Sequence, residues 1–265
     1  MLLSHSCLPF TAVTYDVVMD KKSGDLDARS WFGVKKVMKG ENPFVNLPYV
    51  KVMKQQSEGL QNEGEGALVS QTNACLTYVG REIGYYPSDR TLQVTVETIL
   101  CETMDLRNNM TEFAYKQDGN LEGEGRELLR GVRGKNGILG KFELFCRGRE
   151  IKNEYLVGGE PSPADFHLYE MIEQYCMLSE FLGEGDFLDG FLDLKLWYAA
   201  FKGDPKNQYY LSSDLNRLPY NNKKARFGSV PGGGRFEKGQ EYDWGEYGGV
   251  YQNTYKEGQQ SEGEV

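Results

Sequence analysis

At 265 residues the chain is long enough for one large domain or two small ones, and either can bury a core. With 39 acidic against 30 basic residues and a net charge of -9, it would repel a phosphate backbone, so nucleic acid is not an expected partner. Five cysteines (Cys7, Cys75, Cys101, Cys146, Cys176) without a CxxC spacing, and two distant histidines (His5, His167), point away from a disulfide framework or a zinc site and toward a reducing compartment.

The chain opens on "MLLSHSCLPF", which has neither a basic n-region nor a sustained apolar one, and no later run approaches the roughly 18 apolar residues of a membrane span. A cytoplasmic protein without membrane insertion is expected. "TAVTYDVVM" (11–19), "YVKVM" (49–53) and "ALVSQ" (67–71) read as strands, β-branched and bounded by polar or Gly clusters. Between the last two, "KQQSEGLQNEGEG" (54–66) reads as an overlong exposed connection. From Asn73 the period becomes helical: Ala74, Leu76, Tyr78, Val79 and Ile83 share a face that stops at Gly84. Leu92, Val96, Ile99, Leu100, Met104 and Leu106 predict a long helix. "PSPADFHLYEMIEQYCMLSEF" starts a further helix with a capping-box spacing, Ser162 to Asp165, in which His167 is expected to be a satisfied packing residue. "DGFLDLKLWYAAFKGDP" predicts another, closed by Gly203 and Pro205. After Gly228 the composition turns to Gly, Glu and Tyr with no apolar period, as in a tail.

An α/β first third, a strand that opens on the Leu-Pro of "NLPYV", and an all-helical remainder together resemble the glutathione S-transferases, most of all their mu and sigma classes. The resemblance covers about residues 1–227. It implies a thioredoxin-like domain over 1–86, an all-helical domain over 87–228 and a separate tail over 229–265. It further implies that Pro48 is a cis proline and that Leu47 presents its backbone to the cysteinyl part of glutathione. Gln71 and Thr72 stand where the family has Gln-Ser ahead of the helix that holds the γ-glutamyl carboxylate. Trp31 and Lys35 of "SWFGVKK" match the pair that grips the glycine end, and Glu102 falls where an acidic residue is directed at a glutathione amine. Glutathione is thus the implied ligand or co-substrate, and a homodimer the implied assembly.

The departures lie at the ends. When "PFTAVTYDVV" is aligned with the family's second strand, "MLLSHSC" falls on the last turns of its first helix, and the first strand with its thiol-activating hydroxyl would precede Met1. The alternative alignment makes "MLLSHS" the first strand and Ser6 or Cys7 the activating residue, with almost no room for a first helix. Two functions stay open: a transferase that lowers the pKa of the glutathione thiol for attack on an electrophile, or a glutathione-binding fold kept as a scaffold subunit. The tail favours the second, since Phe236, Tyr242, Trp244, Tyr247, Tyr251 and Tyr255 are the kind of anchors that dock on partners.

Overall fold

The computed structural model describes residues 1–20, 23, 25–52, 66–149 and 155–237, and the backbone of 250–253. The loop expected over 54–66 lies outside the described residues except for Gly66, as does most of the tail. Among the described residues no helix is long and apolar enough to cross a membrane.

The first third alternates short strands with helices. Leu2–His5 is a single helical turn, α1, so the "MLLSHS" segment is not the strand that the alternative alignment required. The strand expected over 11–19 is two strands, β1 (Phe10–Val13) and β2 (Val18–Met19). Its apolar run is interrupted because Asp16 is held from both sides. Ser30 Oγ donates to its carbonyl at 2.6 Å, and Lys223, far along the chain, reaches its carboxylate at 3.0 Å. β2 pairs antiparallel with β3 (Leu26–Asp27), and α2 (Arg29–Met38) follows. β4 (Tyr49–Lys51) and β5 (Leu68–Ser70) form the second expected pair, Tyr49 opposite Ser70. β1 finds its partner in β6 (Val250–Asn253), from the glycine-rich end of the chain, Phe10 opposite Asn253.

The remainder is helical: α3 (Thr72–Glu82), α4 (Arg90–Tyr115), α5 (Leu121–Arg133), α6 (Ile138–Gly148), α7 (Pro163–Phe181), α8 (Leu192–Gly203) and α9 (Gln208–Leu211). Three of the starts, those of α4, α5 and α7, have a side-chain cap. Asp89 accepts from Leu92 N at the head of α4, and Asn120 from Gly123 N at the head of α5, so orphan amides are satisfied. In α5, Glu122 and Glu124 open the helix and Arg130 and Arg133 close it, each sign complementing the dipole. The expected capping box of α7 is present, and it does more than cap. Asp165, fully buried, accepts from Ser162 N at 2.9 Å and Ser162 Oγ at 2.8 Å, from Leu156 N at 2.7 Å and from the Trp197 indole of α8 at 3.3 Å. Burial pushes its carboxyl up, against the four donors that hold it down.

These helices share one core. Val96, Ile99, Leu100, Leu106 and Met110 of α4 face Leu168, Met171, Ile172 and Tyr175 of α7, and the Tyr175 hydroxyl donates to Leu106 O at 2.9 Å. Gly80 lets α3 join them: a Cβ there would stand 2.4 Å from the ring of Pro163. His167 is buried as expected but not satisfied, since neither ring nitrogen has a hydrogen-bond partner. The first turns of α7 are buried throughout, Pro163 to Tyr169, which leaves the imidazole no polar surface to meet. Burial, then the charge of Arg107, lowers its pKa to about 4.

The residues after Gly228 begin by packing on this core. Ser229 and Val230 are buried, Ser229 Oγ donates to Ala225 O at 2.9 Å, and Phe236 N donates to Ser229 Oγ at 2.9 Å. Gly233 turns the chain with φ +92°, and a Cβ there would stand 3.0 Å from Met177 and Phe227. Just upstream, the buried Arg226 bonds Phe113 O at 2.8 Å and the Glu124 carboxylate, while its backbone N–H donates to Ala114 O. It thereby satisfies carbonyls at the end of α4.

Candidate functional site

Trp31, on the buried face of α2, forms a small second cluster with Val45 and Leu68, against which Tyr15 and Tyr49 pack. The Trp31 ring stacks on Tyr49 at 6.0 Å and 12° and meets Tyr15 at 5.2 Å. The two tyrosine hydroxyls are 2.6 Å apart. One turn along α2, the Lys35 ammonium stands 5.8 Å from the Trp31 ring centre and donates to Asn46 Oδ1 at 3.1 Å.

Asn46 carries the construction into the next loop. Its N–H donates to Ser70 Oγ at 2.8 Å, and Ser70 Oγ faces the carbonyls of Phe44 and Asn46 in turn. Leu47 follows, joined to Pro48 by a cis peptide bond. Leu47 is 43% exposed, and among the described residues neither its N–H nor its C=O meets a partner. An edge with one donor and one acceptor unspent can pair with a peptide.

Gln71 closes the far side. It takes φ +77° and anchors its amide on Phe44 O at 3.3 Å. α3 starts at the next residue, and no side chain caps it. Its first amides are therefore a ready carboxylate site. Arg107 of α4 adds a positive charge there, its Nε 3.4 Å from Thr72 Oγ1. Sequence reasoning missed Arg107, Asn46 and Tyr15, because each enters through a contact between elements and not through a local motif.

Trp31, Lys35, Leu47, Pro48, Gln71 and Thr72 thus lie around β4 and β5, where hydrogen bonds link Lys35, Asn46, Ser70, Phe44 and Gln71. Glu102 is not. It is paired with Lys141 of α6 at 2.5 Å, five residues and well over a turn from Arg107. Ser6 and Cys7 also stand apart. Ser6 Oγ donates to Leu3 O at 2.8 Å and Cys7 Sγ to His5 O at 3.7 Å. Their neighbour His5 is locked between Tyr85 at 2.9 Å and Asp204 at 3.1 Å, and Tyr155 also donates to Asp204, at 2.5 Å. Cys75 is near the site, facing Pro48 O at 3.6 Å, but burial pushes its thiol up to about 11, which makes it a poor nucleophile.

A profile of the glutathione S-transferase C-terminal domain matches residues 104–214. Human "Glutathione S-transferase Mu 3" is 27% identical over 210 residues, covering 78% of this chain and 80% of the relative. Human "Glutathione S-transferase P" is 26% identical over 152 residues, 57% of this chain and 67% of the relative. Among solved structures, the glutathione S-transferase Blo t 8 superposes with TM-score 0.60 at 20% identity, over 77% of this chain and 84% of that one. The Ascaris lumbricoides glutathione S-transferase does so with TM-score 0.57 at 20% identity, over 80% and 87%.

Residues 104–214 thus match the C-terminal domain of the glutathione S-transferases, and the chain is similar to members of that family over most of its length. Its fold is that of the family, a thioredoxin-like N-terminal part and an all-helical C-terminal domain. Beside the site, Tyr15 also lines a cavity of about 190 Å³ shared with Thr14, Asp16, Tyr220 and Lys223. One aromatic side chain therefore joins the Trp31–Tyr49 cluster to a small cavity.

Proposed function

We propose that the chain binds glutathione, with the glycine end at Trp31 and Lys35, the cysteinyl backbone on Leu47, and the γ-glutamyl carboxylate on the first amides of α3 with Arg107. The observation that carries this reading is the hydrogen-bonded path from Lys35 through Asn46 and Ser70, with Gln71 on Phe44 O, that surrounds the unspent Leu47 backbone. Titration calorimetry with reduced glutathione tests it. Lys35→Ala, on the helix surface, should weaken binding about tenfold, the size of one charge-assisted contact. No heat at millimolar ligand from a folded sample would sink the proposal.

The second reading, conjugation of the thiol to a small electrophile, is favoured by the cavity beside Tyr15, where an acceptor could stand. A chromogenic electrophile assay separates the two: turnover lost in Tyr15→Phe would establish the enzyme, and binding without turnover the scaffold. We also propose a homodimer in the cytoplasm. Phe44 is 76% exposed, and a groove of about 710 Å³ runs between α3 and α4, past Ala74, Tyr78 and Leu100. Phe44→Ser should shift the sedimentation mass to that of one chain. An assembly role for 229–265 is tested by whether partners still co-purify with a chain cut after Glu237.

A further inference from the structure

A cleft of about 460 Å³ opens between the second half of α7, α8 and residues 220–232. Of its lining only Tyr220 is shared with the cavity beside Tyr15, and its volume suits a small ligand. Its charge is lopsided: Glu173 and Glu180 line it two turns apart on α7, and Lys202 is the sole basic residue among those that line it. Glu170, one turn before Glu173, adds to the same field, and burial together with these two carboxylates raises the Tyr220 and Tyr210 hydroxyls. The Cys176 thiol is pushed up to about 12 by burial, then by Glu173 and Asp186. The rest of the lining is aromatic or soft: Tyr198, Tyr220, Phe181 and Met177, with Phe181 40% exposed at the rim.

The cleft already displays how it treats a cation. The Lys202 ammonium lies 5.4 Å from the Tyr198 ring centre and 2.9 Å from Glu173 Oε1, and Tyr198 donates its hydroxyl to the same oxygen. Tyr198 is fixed from behind by Tyr169, stacked at 5.4 Å. A carboxylate beside a held aromatic face is the combination that recognises ammonium groups. Lys202 is 46% exposed, so its long stem can carry the charge out to water when another cation enters.

We propose that this cleft binds a small organic cation, an amine carried on an aromatic body, with the ammonium between Glu173, Glu180 and the Tyr198 ring and the body against Phe181, Met177 and Tyr220. The complete chain is titrated calorimetrically with tryptamine and, in parallel, with indole-3-propionate, which has a similar body and the opposite charge. Tryptamine should bind at least tenfold more tightly. Glu180→Gln, on the exposed rim, should weaken it several-fold, and Lys202→Met should strengthen it by removing the resident competitor; glutathione titrations should be unchanged in both. Glu173→Gln should abolish binding, and because the two rim variants leave the packed core untouched, the proposal stands or falls even if Glu173→Gln fails to fold. No heat with tryptamine at millimolar concentration, equal affinity for the two indoles, or a Lys202→Met variant that binds tryptamine more weakly would each overturn it.

Discussion

The two halves of the molecule hold themselves together by different means. In the helical half, α4 to α8 enclose a continuous core in which Trp197, Tyr175 and Phe187 have almost no exposed surface, each contributing roughly 1.5–3 kcal/mol of burial. In the first third, strands of two to four residues pair two by two, around a cluster of Trp31, Val45 and Leu68. Isolated two-stranded pairs are marginal in water, so this half depends on α3, Lys223 and the end of the chain for its position. Trp31, Lys35, Leu47, Pro48 and Gln71 lie in the weaker half, against its junction with the stronger one. Binding elements are commonly drawn from the low-stability end of a fold, with a rigid part behind them.

The contrast breaks hardest at Asp165. Asp165→Ala would leave four inward donors without an acceptor: Leu156 N, Ser162 N, Ser162 Oγ and the Trp197 indole. At roughly 1–3 kcal/mol for each buried orphan, even partial relaxation leaves a loss of about 4 kcal/mol. Urea unfolding followed by far-ultraviolet circular dichroism should show the helical half melting first in this variant. An unchanged midpoint would mean that the α7 start is not what ties α8 to the core.

A second test cuts the chain at two places. Ending it at Gly228 removes the buried Ser229 and Val230 and the two hydrogen bonds of Ser229 Oγ, at a cost on the order of 3 kcal/mol. Ending it at Glu237 keeps them and, among the described residues, removes only the partner of β1. The shorter cut should lower the thermal midpoint by several degrees. The longer one should leave it near that of the full chain while Phe10–Val13 lose amide protection in hydrogen exchange. Equal midpoints for the two would place the end of the core at Gly228 after all.

Much of the stronger half was legible because its causes are local. The apolar stripe of α4 and the Ser162–Asp165 box are written within single elements, and both are found where the pattern put them. α5 and α6 lie in a stretch expected only to be helical, and their bounds come from Asn120 and Gly137 caps beside short turns. The weaker half is less legible because its causes are distant. Nothing within "TAVTYDVVM" announces that Lys223 will hold Asp16 and split the strand, or that β1 will pair with residues 250–253. The same holds for the site. Trp31, Lys35, Leu47, Pro48, Gln71 and Thr72 could be named from the family resemblance of short local motifs, whereas Arg107 reaches Thr72 from another helix and Glu102 turns to Lys141.

His167 gives a test in which pH is the variable. Its folded pKa, about 4, lies below the ordinary 6.5. Above pH 6.5 the ring is neutral in both states and its contribution to stability is complete. Below it, the unfolded chain takes up a proton that the folded chain refuses until about pH 4, so stability falls across that window by on the order of 3 kcal/mol. His167→Leu removes the titration and the two unpaired nitrogens. It should gain about 1 kcal/mol at neutral pH and flatten the acid limb between 6.5 and 4. A variant whose stability falls as steeply as the parent's would place the acid sensitivity elsewhere, with the carboxylates.

The smallest expected effect is at the junction itself. Gln71 takes φ +77° with ψ 134°, a combination that costs a side-chain-bearing residue about 1–3 kcal/mol and persists where the surroundings over-determine it. Here the Ser70 bonds to Asn46 and Phe44 on one side and the start of α3 on the other do so. Gln71→Gly relieves the strain but adds freedom to the unfolded chain, for a net gain of about 1 kcal/mol. Gln71→Ala keeps the strain and removes the same amide. Both variants should bind glutathione more weakly than the parent, by similar factors, while only the glycine variant melts higher. The difference in midpoint between the two then measures the strain alone, and its absence would show that the conformation is adopted without cost. If instead the glycine variant binds less tightly than the alanine one, the strained backbone is itself part of what orders the α3 amides for a carboxylate.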